Sequence, residues 1–130
     1  MVTNISLEDQ DVERAKNLLK VMDKTGIKPE SFLWYYLSDN QAWRLVISSS
    51  KFNNKSISDN YKEFINRFKS NKYVREIGLE NVTLVDSSDD LIKLLKTAIK
   101  TNPHSISGIK FKSSNINNTY IDDAYIYRLS

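Results

Sequence analysis

The sequence predicts an α+β domain, with about five strands in a largely antiparallel sheet, the order α-β-β-α-β-α-β-β, and helices packed mainly on one face. Three observations carry that expectation. Residues 105–128 alternate apolar and polar side chains around an asparagine pair. Residues 32–47 hold two runs of strand formers around a polar tetrapeptide. The segments before and between them place apolar residues at helical spacing. Strands joined by tight turns pair antiparallel, and helices with one apolar stripe each cover a sheet most economically from one side. With 130 residues, 40% of them hydrophobic, and no repeat, linker or low-complexity tail, residues 1–130 read as a single domain long enough to bury a core.

The first helix is expected from Ser6, whose hydroxyl is placed to cap it, with Glu8, Asp9 and Asp11 at the positive end of the dipole. Val12, Ala15, Leu18, Leu19 and Met22 form its apolar stripe, and Gly26 and Pro29 end it. Glu13, Arg14, Lys16, Lys20 and Asp23 read as its solvated side. Next come the strands Phe32 to Leu37 and Ala42 to Ile47, turning at Ser38-Asp39-Asn40-Gln41. That turn sets Tyr36 opposite Trp43, Trp34 opposite Leu45 and Phe32 opposite Ile47. Both faces of this hairpin are apolar apart from Arg44, which places it centrally in the sheet.

A polar loop, residues 48–60, then delivers Ser58 or Asp59 as the cap of a second helix, with Tyr61, Phe64, Ile65 and Phe68 inward. Ser70-Asn71 interrupts it, and Tyr73, Val74 and Ile77 resume the helical pattern. Val82 to Val85 is a short strand. The turn Asp86 to Asp90 caps a last helix whose apolar face is Leu91, Ile92, Leu94, Leu95, Ala98 and Ile99, closed by Asn102-Pro103. In the final hairpin Asn117-Asn118 suits a two-residue type I′ turn, because asparagine tolerates positive φ. The register that follows pairs Ile116 with Thr119, Lys112 with Asp123, Phe111 with Ala124 and Ile109 with Ile126. One face then carries Ile109, Phe111, Ala124 and Ile126, and the other Lys110, Lys112, Asp123, Tyr125 and Tyr127. A slip by one residue would bury the lysines.

Composition removes several kinds of chemistry. There is no cysteine, so disulfides, thiolate metal sites and cysteine nucleophiles are excluded. A single histidine, His104, excludes any two-histidine site within the chain. No apolar run reaches the roughly 20 residues of a membrane span, and the polar start does not read as a signal peptide, so a cytoplasmic location without membrane contact is expected. No GxGxxG, P-loop, HExxH or EF-hand pattern occurs. Neither a cofactor nor a metal site is expected.

Two surfaces are candidates for contact. Lys51, Lys55, Lys62, Arg67, Lys69, Lys72 and Arg75 stand against only Asp59 and Glu63, which leaves the remainder of a chain of net charge +3 negative. Such a segment suits a phosphate backbone or another anionic partner, with Asn53, Asn54 and Asn71 as added donors; charge on the outer face of a helix is also what solubility alone requires. On the last hairpin, Tyr125 and Tyr127 share a face with Lys110 and Lys112, which suits a partner interface. Trp34, Tyr36 and Trp43 also share a face, and helices are expected to cover them. Catalysis would need converging carboxylates. Asp122 and Asp123 point to opposite faces. Asp122 falls on the aliphatic side, which calls for a bulge or a partner such as Arg44 or Arg128, and Asp86 is the one acid placed to join it. His104 reads as a surface loop residue, and Gly108 as a bulge or a close approach of backbone.

Two stretches, FLWYYLSDNQAWRLVIS at 32–48 and SISGIKFKSSNINNTYIDDAYIYR at 105–128, resemble a group of short bacterial proteins of unassigned function. In these a Trp/Tyr hairpin is followed by an S-G-I strand, an N-x-x-Y turn and a D-A-Y-I-Y-R ending. Where relatives place glycine after the turn asparagine, this chain has Asn118. The resemblance implies a small bacterial domain and no catalytic assignment. The expected function is therefore a non-enzymatic intracellular protein acting through protein–protein contacts, with a second copy of itself at a sheet edge among the candidate partners. A nucleic-acid-associated module using residues 51–75 is the alternative, and a metal-dependent hydrolase or nuclease ranks third.

Overall fold

The computed structural model describes residues 7–52 and 56–130. It is an α+β structure with α1 (Asp9–Lys24), β1 (Ser31–Leu37), β2 (Ala42–Ser48), α2 (Ile57–Phe68), α3 (Lys72–Ile77), β3 (Val82–Val85), α4 (Asp90–Ala98), β4 (Ile109–Ile116) and β5 (Thr119–Leu129). The strands form one sheet in the order β3-β2-β1-β5-β4. Among the described residues only β2 and β3 are parallel, joined by the α2–α3 crossover; β1 pairs antiparallel with both β2 and β5, and β5 with β4. β1 is therefore the centre, consistent with its two apolar faces.

Both hairpins have the register that alternation predicts. Phe32, Trp34 and Tyr36 face Ile47, Leu45 and Trp43. Ile109, Phe111, Lys112 and Ile116 face Ile126, Ala124, Asp123 and Thr119. The second turn is built on positive φ at Asn117 (49°) and Asn118 (68°), the pair of left-handed residues that a type I′ turn needs. The first hairpin uses a four-residue loop in which Gln41 takes the positive φ, also 49°.

Two cores lie on opposite faces of the sheet. The larger packs α1, α2 and α3 through Ala15, Leu18, Leu19, Met22, Phe64, Phe68, Val74 and Ile77 onto Phe32, Trp34, Leu45, Ile47 and Leu84. The smaller sets Ile92 and Leu95 of α4 on Leu33, Val46, Ala124 and Ile126. Three of the four α-helices among the described residues thus share one face. β4 and β5 run on past the last pairing of β5 with β1, Tyr35 opposite Ala124. That overhang is a two-stranded ribbon, the form that twists most steeply, and Ile116 and Ile121 belong to the smaller core although strict alternation assigns them to the other face.

Several boundaries differ from expectation for local reasons. Ser56, not Ser58 or Asp59, caps α2, its Oγ accepting from the Asp59 N–H at 3.1 Å. The helix starts earlier, and Asn60 is buried on its inner side while Ile65 is left 36% exposed. Asn71 caps α3 by accepting from the N–H groups of Tyr73 and Val74, so the interruption is a true break into two helices. Ser6, expected to cap α1, lies outside the described residues. The helix ends with Gly26 at φ 86°.

The main departure from alternation is a bulge in β5. Phe32 faces Arg128 but Leu33 faces Ile126, so Tyr127 is an extra residue relative to β1. Tyr127 and Arg128 both reach the α1 side, and Leu129 returns to the α4 side. Arg128 is 1% exposed. Its Nη1 and Nη2 each donate to a carboxylate oxygen of Asp23 at 2.9 Å, Nη1 also to the Pro29 carbonyl at 3.1 Å, and Nε to the Ser105 carbonyl at 3.1 Å. Asp23 is therefore not part of a solvated face. Arg14 also leaves that face to bond Glu76 of α3 at 2.8 Å.

Removing one partner strands a buried charge, at a cost of about 3 kcal/mol. Asp23→Ala is expected to lower the urea midpoint accordingly, and adding Arg128→Met in the same chain should recover part of the loss. Asn118→Val, which forces a β-branched residue into the left-handed region, should cost about 1–2 kcal/mol by the same measurement.

Candidate functional site

On the α1 side of the sheet, beyond the helix's first turn, a cleft of about 310 Å³ opens between α1 and the outer strands. Trp43 from β2 and Tyr125 and Asp123 from β5 lie on its sheet side, Lys110 and Lys112 from β4 bound its outer rim, and Leu7, Asp9 and Val12 overhang it. Its position follows from the registers. Tyr125 sits between Trp34 of β1 and Lys110 of β4, and Trp43 closes the first hairpin opposite Tyr36, with ring centroids 5.3 Å apart.

Two sheet side chains hold the helix over the cleft. Trp34 Nε1 donates to the Asp11 carbonyl at 3.3 Å and Tyr127 Oη to the Val12 carbonyl at 2.7 Å. The Tyr125 ring rests against Tyr127, centroids 5.1 Å apart. Its hydroxyl end lies over Gly108, where an added Cβ would stand 2.6 Å from Oη. Gly108 is thus a site of close approach, though by a tyrosine side chain and not by the backbone that was expected. Burial, chiefly, and the neighbouring Tyr125 push the Tyr127 phenol well above its ordinary range, so it stays protonated and donating.

Of the expected interface residues, Lys110 and Lys112 are exposed and Tyr125 is half-buried at the cleft. Tyr127 is 1% exposed and belongs to the core under α1. The reason is α1, which crosses this end of β5 and accepts the Tyr127 hydroxyl at the Val12 carbonyl. Of the other aromatic group, Trp34 and Tyr36 are buried at 3% and 1%, while Trp43 stays half-open and reaches the cleft.

The basic residues Lys51, Lys62, Arg67, Lys69, Lys72 and Arg75 are all exposed, and Lys55, with Asn53 and Asn54, lies outside the described residues. They do not make one stripe. Lys62 and Lys69, seven residues apart, share a flank of α2. Arg67 lies on the other flank with Glu63 at 3.4 Å, and the Lys72 ammonium lies 5.9 Å from the Tyr73 ring centre.

Asp86 and Asp122 do not converge. Asp86 follows β3 at one edge, level with the Ser31–Ser48 end of the sheet, whereas Asp122 lies on β5 at the opposite end beside Tyr35 and Asp39. Asp86 closes its own turn by accepting from Ser88 N–H and Oγ, which holds its carboxyl below the usual carboxylate range. Neither arginine suggested for Asp122 meets it. Arg44 donates to Thr83 Oγ1 and the Val82 carbonyl, and Arg128 binds Asp23. Asp122 instead raises the pKa of the half-buried Tyr35 phenol, second to the effect of burial. Among the described residues no group of three or more His, Asp or Glu side chains is placed to hold a metal ion, and no helix is long and apolar enough to cross a membrane. His104 is exposed in a turn. No family model matches the chain, and comparison with curated proteins and with solved structures gives no match.

A phenol whose pKa is raised by folding stabilises the fold fully below its ordinary value of 10.0, and that contribution is lost as pH rises above it toward the folded value. Thermal melts of the native chain should therefore fall more steeply above pH 10 than those of Tyr127→Phe. At neutral pH the variant should lose about 1 kcal/mol with its hydrogen bond to Val12.

Proposed function

We propose that the protein is a cytoplasmic bacterial interaction module without catalytic activity, one of the group of short proteins that its hairpins resemble, and that it docks a segment of a partner protein along β4. The observation that carries this reading is the position of β4. It is an eight-residue edge strand, unpaired on its outer side among the described residues, and it runs directly beside the cleft that holds Trp43, Tyr125, Lys110 and Lys112. An edge strand offers a row of free N–H and C=O groups, and an adjoining cleft with aromatic walls, lysines on its outer rim and Asp9 and Asp123 further in adds side-chain recognition to that backbone affinity.

A photo-crosslinking residue at position 110, expressed in the native host, should trap a discrete partner, whereas the same residue at position 62 should not. The shared flank of Lys62 and Lys69 favours a second reading, contact with nucleic acid. It requires crosslinking from position 62, together with heparin retention that falls steeply with salt and is abolished by reversing Lys62, Lys69 and Lys72.

A further inference from the structure

We infer that the segment taken up by β4 is an extended strand whose side chains alternate acidic and apolar. This rests on the reading of β4 as the docking edge. A strand hydrogen-bonded to β4 lies about 4.8 Å away and sends successive side chains to opposite faces. On the α1 side its residues stand opposite Lys110 and Lys112, both exposed. On the α4 side they stand opposite Ile109 and Phe111, which are half-buried and packed against the smaller core.

Acids opposite the lysines and apolar residues opposite Ile109 and Phe111 satisfy both faces with one phase. The reverse phase sets apolar groups against ammonium and charge against the core. Lys110 is the stronger cationic point, because its cross-strand neighbour is the phenol Tyr125, whereas Lys112 faces the carboxylate of Asp123. Asp123 itself lies on the next strand inward, about twice as far from an incoming chain, so the lysines dominate the field there.

A second copy of the chain fits this edge poorly. Antiparallel pairing of β4 with itself, faces matched and centred on Lys110 to Lys112, sets lysine opposite lysine, and like charges directly opposite destabilise a ladder. The lysines that blunt self-association are the same ones that select an acidic strand.

The test uses the full chain and three labelled nine-residue peptides: alternating Val and Glu, alternating Val and Lys, and the Val/Glu composition rearranged in blocks, read by fluorescence anisotropy. The alternating Val/Glu peptide should bind, with protection of β4 amides from hydrogen exchange, and should weaken at least tenfold on Lys110→Glu, whose melting temperature stays at that of the native chain. The doubly reversed Lys110→Glu/Lys112→Glu chain should instead take the Val/Lys peptide. Equal binding of the Val/Glu and Val/Lys peptides, or of the alternating and block peptides, overturns the inference. Crosslinking from position 110 without Val/Glu binding overturns it while leaving the docking edge intact; absence of both removes the two readings together. A dimer in sedimentation whose β4 amides are protected from hydrogen exchange without any peptide overturns it in favour of self-pairing.

Discussion

The Arg128 guanidinium ties together three parts of the chain that are far apart in sequence. It takes both carboxylate oxygens of Asp23 at the end of α1, the Pro29 carbonyl ahead of β1 and the Ser105 carbonyl ahead of β4. A charge this deeply buried is tolerated only when its donors are matched, and four of its five are. The bulge at Tyr127 makes the arrangement possible. Without the extra residue, Arg128 would point toward α4 and Leu129 toward α1, leaving a charge in the smaller core and nothing to meet Asp23.

Tyr127 also shapes the cleft. It lies under α1, where its hydroxyl donates to the Val12 carbonyl and holds the start of the helix, whose Asp9 and Val12 line the cleft with Tyr125, Trp43 and the β4 lysines. The two edges of the sheet are treated differently. β3 is four residues long, and its Leu84 N–H donates to the Tyr61 hydroxyl at 3.0 Å. β4 is twice as long and carries lysines as its defence. Among the described residues β4 is therefore the longer and more open of the two edges.

Much of this was legible in the residues. Each hairpin register follows from a turn and period-two alternation, and Asn117-Asn118 takes the backbone that its chemistry suggests. The helix break at Asn71 was visible as a cap residue inside a helical run. What could not be read were features that depend on non-local partners. Asp23 looks solvated on its own helix, because Arg128 approaches from 105 residues away. The bulge has no glycine or proline to mark it, so alternation placed Arg128 beside Asp122. Strand order was hidden for the same reason: β1 is apolar on both faces, which says that it is central without naming its neighbours. Tyr127 looked like Tyr125 because both follow one parity, and only α1 distinguishes them. At the cleft, Lys110, Lys112 and Tyr125 were readable from the hairpin alone, whereas Leu7 and Trp43 join it through the crossing of helix and sheet.

β5 is the last strand in sequence but lies between β1 and β4, and β1 at the middle of the sheet has β5 as one of its two partners. During synthesis the first hairpin leaves the ribosome with one long apolar side unzipped, and it stays so until residues 119–129 follow. The nascent chain therefore has a window in which its stickiest strand is bare, and the emergence of β5, rather than local helix or turn formation, sets when the centre of the molecule can close.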